Sequence, residues 1–232
     1  MTTVFIISAP SGSGKSTLVD ELRRRVEGLD FSVSYTTRPP RGSEQNRKEY
    51  YFVPRPEFDA MVVRDEFLEY ADVFGNCYGT HRRFLEEAKR KGHDLLLDID
   101  VQGASQIQKK IPEAVSVFVL PPTHAQLEWR LRNRGLDAEE VILRRLDTAR
   151  REIENYDKYS YILVNDRLEE SVDVLRAIVL AERLRRSGRL LTDEDQVQIA
   201  TAERCRLQNI RERIQPILES FRKARGQGQS QT

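Results

Sequence analysis

The sequence predicts an α/β fold of three layers, a largely parallel sheet with helices on both faces. Three observations predict it. Short apolar runs rich in β-branched residues alternate with longer segments of helical period. A turn rich in small residues joins the first apolar run to the first helical segment. The second apolar run closes on Asp98 and Asp100, at the carboxyl end of a strand, where open sheets bind ligands.

In order along the chain, residues 4–9 are an apolar strand and 15–26 a helix with period 3.6. Residues 32–79 break the alternation with Tyr, Arg, Pro and short mixed runs. They form either a lobe carried on the sheet or an ordinary surface insertion. The alternation resumes with a helix over 84–91, a strand over 94–99, a helix over 104–110, a strand over 116–120 and a helix over 124–133. A polar connection, 132–138, leads to a helix over 139–156, a strand over 161–164 and a helix over 170–186. Beyond Ser187-Gly188-Arg189, residues 193–225 read as one charged amphipathic helix with Leu207, Ile210, Ile214, Ile217 and Leu218 at helical spacing. That stripe either folds back on the core or makes a homo-oligomer contact. Residues 226–232, rich in Gly, Gln and Ser, are expected to be a disordered tail.

A length of 232 residues suits one domain with inserted subdomains or with an extension. Cys77 and Cys205 are far apart and match no metal-ligand spacing, so they are expected to be thiols in a reducing, cytoplasmic compartment. No run is apolar enough for an export signal or a bilayer span. With a formal net charge of +1, no global field draws the chain to nucleic acid or membrane.

The turn reads Ala9-Pro10-Ser11-Gly12-Ser13-Gly14-Lys15-Ser16, followed by Thr17. A strand, a Gly-rich turn and a helix start converge backbone N–H groups on one point, an anion site to which Lys15 adds a mobile positive charge. Ala9 replaces the first glycine of the G-x-x-x-x-G-K-[ST] pattern, while Gly14, Lys15 and Ser16 match it. Ser16 is the candidate ligand for Mg²⁺, directly or through water. Period-two alternation puts Asp98 and Asp100 on one side, for a metal or substrate role or as caps of the following helix.

Beyond the loop, the chain carries Ser34-x-Thr36-Thr37-Arg38-x-Pro40-Arg41, Tyr50-x-Phe52, Phe67-Leu68-Glu69, Phe74-Gly75-Asn76-x-Tyr78-Gly79-Thr80, Leu97-Asp98-Ile99-Asp100-x-Gln102-Gly103 and Val164-Asn165-Asp166. In these blocks and their order the sequence resembles the guanylate kinase family, of the bacterial type. The resemblance implies a P-loop nucleoside monophosphate kinase: a domain over 1–186 with a GMP-binding lobe near 32–80 and a small lid near 130–145, and a helical extension over 187–225. It implies ATP contacts from residues 9–17 and from Asn165, near the adenine. It assigns Ser34, Arg38, Arg41, Tyr50 and Tyr78 to the GMP phosphate and Glu69, Thr80 and Asp98 to guanine. Lys15, Arg38, Arg130, Arg134 and Arg145 would act on the transferred phosphoryl group, with Mg²⁺ at Ser16 and Asp100. The implied reaction is ATP + GMP = ADP + GDP, with dGMP also accepted, in purine nucleotide metabolism and GMP recycling.

The chemistry is consistent with that assignment. An ionised carboxylate can accept both N1–H and N2–H₂ of guanine, whereas adenine offers an unprotonated N1 to the same oxygens. No general base is needed, because a phosphate monoester is already largely a dianion at neutral pH. Two other readings are a non-catalytic module that binds a phosphopeptide in the GMP lobe and a kinase for another acceptor. The intact Lys15, Ser16, Asp98 and Asp100 oppose the first, and the Glu69/Thr80 pair opposes the second.

Overall fold

The computed structural model describes residues 2–73, 75–133 and 138–227. Its elements run β1 (Val4–Ser8), α1 (Lys15–Arg25), β2 (Leu29–Phe31), β3 (Tyr35–Thr36), β4 (Tyr51–Phe52), α2 (Arg55–Val63), β5 (Phe67–Val73), β6 (Asn76–His81) and α3 (Arg83–Lys91). There follow β7 (Asp94–Asp98), α4 (Val101–Lys110), β8 (Val115–Leu120), α5 (His124–Asn133), α6 (Glu139–Ile153), a 3₁₀ turn at Tyr156–Lys158, β9 (Tyr161–Val164), α7 (Leu168–Ser187), α8 (Asp193–Glu203) and α9 (Leu207–Gln227).

Five strands hydrogen-bond in the order β2-β7-β1-β8-β9, and β2 with β7 and β8 with β9 pair in parallel. Every residue of β1 and β8 is buried, as expected of strands with helices on both faces. This is the expected α/β arrangement of a parallel sheet with flanking helices. The order reverses at β1, and the small-residue turn follows its carboxyl end.

The chain divides into two compact units, one of residues 1–6 and 27–115 and the other of residues 7–26 and 116–232. In the first, the interval 32–79 is a folded lobe with its own mixed sheet, in the order β4-β3-β6-β5. It also has its own core of Tyr35, Phe58, Met61, Phe67 and Cys77. Tyr35 stacks on Tyr51 and Phe58 on Phe67, each with ring centroids 4.6 Å apart. The interval thus folds on a sheet and a core of its own. Its strands β3 and β4 are two residues each, too short to show a period.

In the second unit the C-terminal segment is two helices where one was expected. Thr192 and Asp195 form a capping box that starts α8. The chain then breaks around Cys205, whose carbonyl accepts from the Ile162 amide at 2.8 Å, while the Leu207 amide donates to the Ser160 carbonyl at 3.2 Å. The extension thus pairs with β9. A buried carboxylate, Glu182, accepts from Tyr161 Oη at 2.5 Å, Arg185 at 2.5 Å and Arg206 at 2.7 Å. The stripe side chains Ile210, Ile214, Ile217 and Leu218, with Phe221, are buried within this chain. Their side chains are thus covered within this chain, as folding back implies. The α9 helix also runs through Gly226 and Gln227, which the sequence assigned to the tail, and residues 228–232 lie outside those described. Cys77 and Cys205 are buried free thiols.

Candidate active site

The second unit holds the small-residue loop. Gly12 and Gly14 sit at φ 91° and 83°, in the left-handed region. A Cβ on Gly12 would lie 2.8 Å from Leu131 Cδ2, and one on Gly14 would lie 2.6 Å from Asn165 Nδ2, so space as well as torsion requires glycine at both. Ala9 and Pro10 are buried, the Ser13 amide donates to the Pro10 carbonyl at 3.1 Å, and Ser11 is exposed. Gly14 caps α1 without a side-chain hydrogen bond, which leaves the first-turn N–H groups to an anion. Lys15 is the first residue of α1, and Ser16 and Thr17 are exposed beside it.

The end of β9 and the helix α5 fix the loop from the side. Asn165 Nδ2 donates to the Ser13 carbonyl at 2.7 Å. Arg130 donates to the Asn165 carbonyl at 3.0 Å and to the Ser13 carbonyl at 3.4 Å. Its guanidinium therefore ties strand, helix and loop together, a positioning task that the resemblance did not assign to it. Next to the loop lies a pocket of about 310 Å³ whose lining includes Thr17, Trp129, Arg130, Asn133, Asp166 and Leu168. Trp129, the chain's single tryptophan, is 58 % exposed on this pocket's wall. Arg132 pairs with Glu128 at 2.8 Å and also with Glu139, joining α5 to α6. Arg145 lies on α6, partly buried, and Arg134 lies outside the described residues.

The first unit holds the carboxylates. Strand register sets Glu69 opposite Thr80, whose hydroxyl donates to Glu69 Oε1 at 2.6 Å. Glu69 is 3 % exposed and Thr80 is fully buried. Burial, with the Asp100 charge adding to it, pushes the Glu69 carboxyl up to about 7 against the opposing Thr80 hydrogen bonds. A Cβ on Gly103 would come within 2.9 Å of Glu69 Cδ, so the first turn of α4 is glycine where the carboxylate passes it. Asp100 is the N-cap of α4 and accepts from the Gly103 amide at 2.8 Å and from Gln102 at 3.2 Å. The capping alternative thus holds for Asp100, and it explains why α4 begins at Val101, ahead of the expected residue 104. Asp98 ends β7.

Arg38, 6 % exposed, presents its fork to Glu44 through two bonds of 2.9 Å and lies 5.3 Å from the Tyr50 ring centroid. The Arg38 bond holds the Glu44 carboxyl below the usual range despite its partial burial. Tyr50 and Tyr78 meet edge to face at 5.9 Å. Burial, followed by the Asp98 charge, pushes the Tyr50 hydroxyl up to about 12, so it stays a donor. Ser34 is half-buried beside this cluster in sequence, and the Arg41 side chain is exposed. Glu44 was not singled out in the sequence, although it lies three residues after Arg41 and accepts that residue's amide at 2.8 Å.

Each unit therefore carries one set of polar groups, an anion cradle beside a pocket of about 310 Å³ in one and a buried acid with an arginine–tyrosine cluster in the other. A family model described as guanylate kinase matches residues 1–182. A guanylate kinase of Koribacter versatilis is 58% identical over 225 residues, which cover 96% of this chain and 97% of that protein. That match includes the C-terminal extension. A guanylate kinase of Neisseria gonorrhoeae is 50% identical over 187 residues, 81% of this chain and 91% of that protein. Among solved structures, a guanylate kinase from Anaplasma phagocytophilum is 36% identical, with a TM-score of 0.66 over 79% of this chain and 87% of that one.

Proposed function

This chain belongs to the guanylate kinase family, and we propose that its two sets of groups divide the reaction between them, the loop unit holding ATP and the acid-bearing unit holding GMP. The enzyme transfers the γ-phosphoryl group of ATP to GMP, giving ADP and GDP. The observation that carries the division of labour is Glu69, a buried acid whose second oxygen passes Gly103 while the first takes the Thr80 hydroxyl.

In this reading the N–H groups of residues 12–16 and the Lys15 ammonium cradle the phosphates of ATP, and Asn165 and Trp129 border its purine. Arg130 holds the loop in shape through the Ser13 and Asn165 carbonyls. The Arg38 fork exchanges Glu44 for the phosphate of GMP, helped by the Tyr50 and Tyr78 hydroxyls, Ser34 and Arg41. Glu69 accepts the two adjacent guanine donors, with Thr80 and Asp98 completing the edge. A GMP oxygen attacks the γ-phosphorus, ADP leaves, and charge from Lys15, Arg145 and Arg134 stabilises the transferring group. A Mg²⁺ ion bound with ATP would supply positive charge against the phosphates. The exposed Ser16 hydroxyl is a hard oxygen donor that suits such an ion, as a ligand direct or through water. None of the assigned contacts involves the ribose 2′ position, which supports dGMP as a second acceptor. The setting is purine nucleotide metabolism and GMP recycling in the cytoplasm.

The experiment is steady-state turnover of Lys15→Ala. A folded variant slowed by about a hundredfold or more is expected, and undiminished turnover would remove the loop from the mechanism.

A further inference from the structure

A cavity of about 430 Å³ lies in the second unit, apart from the loop and its pocket. It is larger than the pocket beside the loop and within the range of roughly 300–1,000 Å³ that small-molecule sites occupy. Its walls come from the second half of α6 with the turn after it, which supply Arg150, Ile153 and Tyr156, and from α9, which supplies Leu218, Phe221 and Arg222. Ile153, Leu218 and Phe221 are buried and make its apolar surface, with Tyr156 as a second aromatic ring.

The polar lining sets three arginines, Arg150, Arg151 and Arg222, against two carboxylates, Asp147 and Glu154. Arg150 Nε is buried with no hydrogen-bond partner among the described residues. Neither Arg150 nor Arg222 has an ion-pair partner among those residues, whereas their neighbour Arg151 is held by Asp147. The lining residue Glu154 is exposed. His124, whose ring meets Phe221 edge to face at 5.2 Å, likewise has its Nε2 buried and unpartnered. A buried charged donor without an acceptor is costly, and native chains keep few of them. The cavity far exceeds the roughly 30 Å³ share of one water molecule, so there is room for an acceptor much larger than solvent.

We propose that this cavity binds an aromatic phosphate monoester, with the ring against Phe221 and Tyr156 and the phosphate on Arg150 and Arg222. Two guanidinium groups without a carboxylate partner among the described residues, one of them with a buried and unsatisfied Nε, suit the oxygens of a phosphate dianion, and the apolar wall receives the ring. Because α9 supplies one wall, the site belongs to the C-terminal extension as much as to the kinase core. An occupant ties that extension to α6, the helix that also carries Arg145.

The test is calorimetric titration of the full-length chain with phenyl phosphate, in saturating ADP, GMP and Mg²⁺ so that the substrate sites are filled. One equivalent should bind, and inorganic phosphate should bind at least about tenfold more weakly. Arg150→Gln and Arg222→Gln should each weaken phenyl phosphate by about tenfold or more, with turnover in its absence unchanged. Thermal melts check that the variants fold, and Arg222, being exposed, gives a test that survives if Arg150→Gln does not. No binding of phenyl phosphate, equal affinity for inorganic phosphate, or affinity untouched by Arg222→Gln would each overturn the proposal.

Discussion

Replacing Glu69 by Gln should harm activity and help stability, opposite signs that follow from one buried carboxyl. Burial raises its pKa from 4.5 to about 7, which corresponds to about 3 kcal/mol of preference for the neutral acid in the folded chain. Between those values the folded chain holds more proton than the unfolded one. The group's contribution to stability is thus fully present below 4.5 and is lost as pH rises through about 7. Gln carries no charge and can still accept the Thr80 hydroxyl, so at about pH 8 the variant should be more stable than the parent by up to about 3 kcal/mol. Activity moves the other way. One guanine donor keeps an acceptor and the other meets an N–H₂ group, which costs about 1.5–3 kcal/mol for the charged bond and about 1–3 kcal/mol for the orphaned donor. The kcat/KM for GMP should fall by roughly 10²–10⁴ while that for AMP changes little. In the parent, kcat/KM for GMP should rise with pH through about 7, as Glu69 ionises, and the variant should lose that limb. Coupled ADP-release kinetics across pH and urea unfolding at about pH 8 measure both. A variant with an unchanged GMP-to-AMP preference, or one less stable than the parent at alkaline pH, would refute the reasoning.

Two further substitutions separate the parts of the acceptor site. Gly103→Ala puts a methyl against the Glu69 carboxylate and should raise KM for GMP by about tenfold while KM for ATP stays the same, as initial-rate kinetics would show. Glu44→Gln leaves the buried Arg38 fork with a neutral partner. The free protein should lose about 1–2 kcal/mol of stability, and the rise in Tm on adding GMP should become larger, both read from thermal melts.

The parallel strands and their helices were legible because each carries a full period: β8 and β9 span the predicted runs to within a residue, and α5 matches residue for residue. The loop was legible too, since Gly12 and Gly14 are required by both torsion and space. What the sequence hid was set by tertiary contact. The three residues of β2 and the two-residue strands β3 and β4 have no period of their own and form only against their neighbours, β2 on β7, β3 on β6 and β4 on β3. The long C-terminal helix breaks at Cys205 because β9 takes its carbonyl, and nothing in residues 193–225 signals that partner. In the site, the Glu69–Thr80 pair was foreseen from the family blocks, and strand register places it. Glu44 and Trp129 were missed, since a charged loop residue and an exposed aromatic look like ordinary surface until their neighbours are known.

Phosphorylation of GMP by ATP is measured by offering the purified full-length protein ATP and Mg²⁺ with GMP, dGMP, AMP, CMP or UMP in turn and following ADP. Rapid ADP release with GMP, accompanied by GDP in equal amount, is the predicted result. ADP release driven by another monophosphate with GMP inert would contradict it.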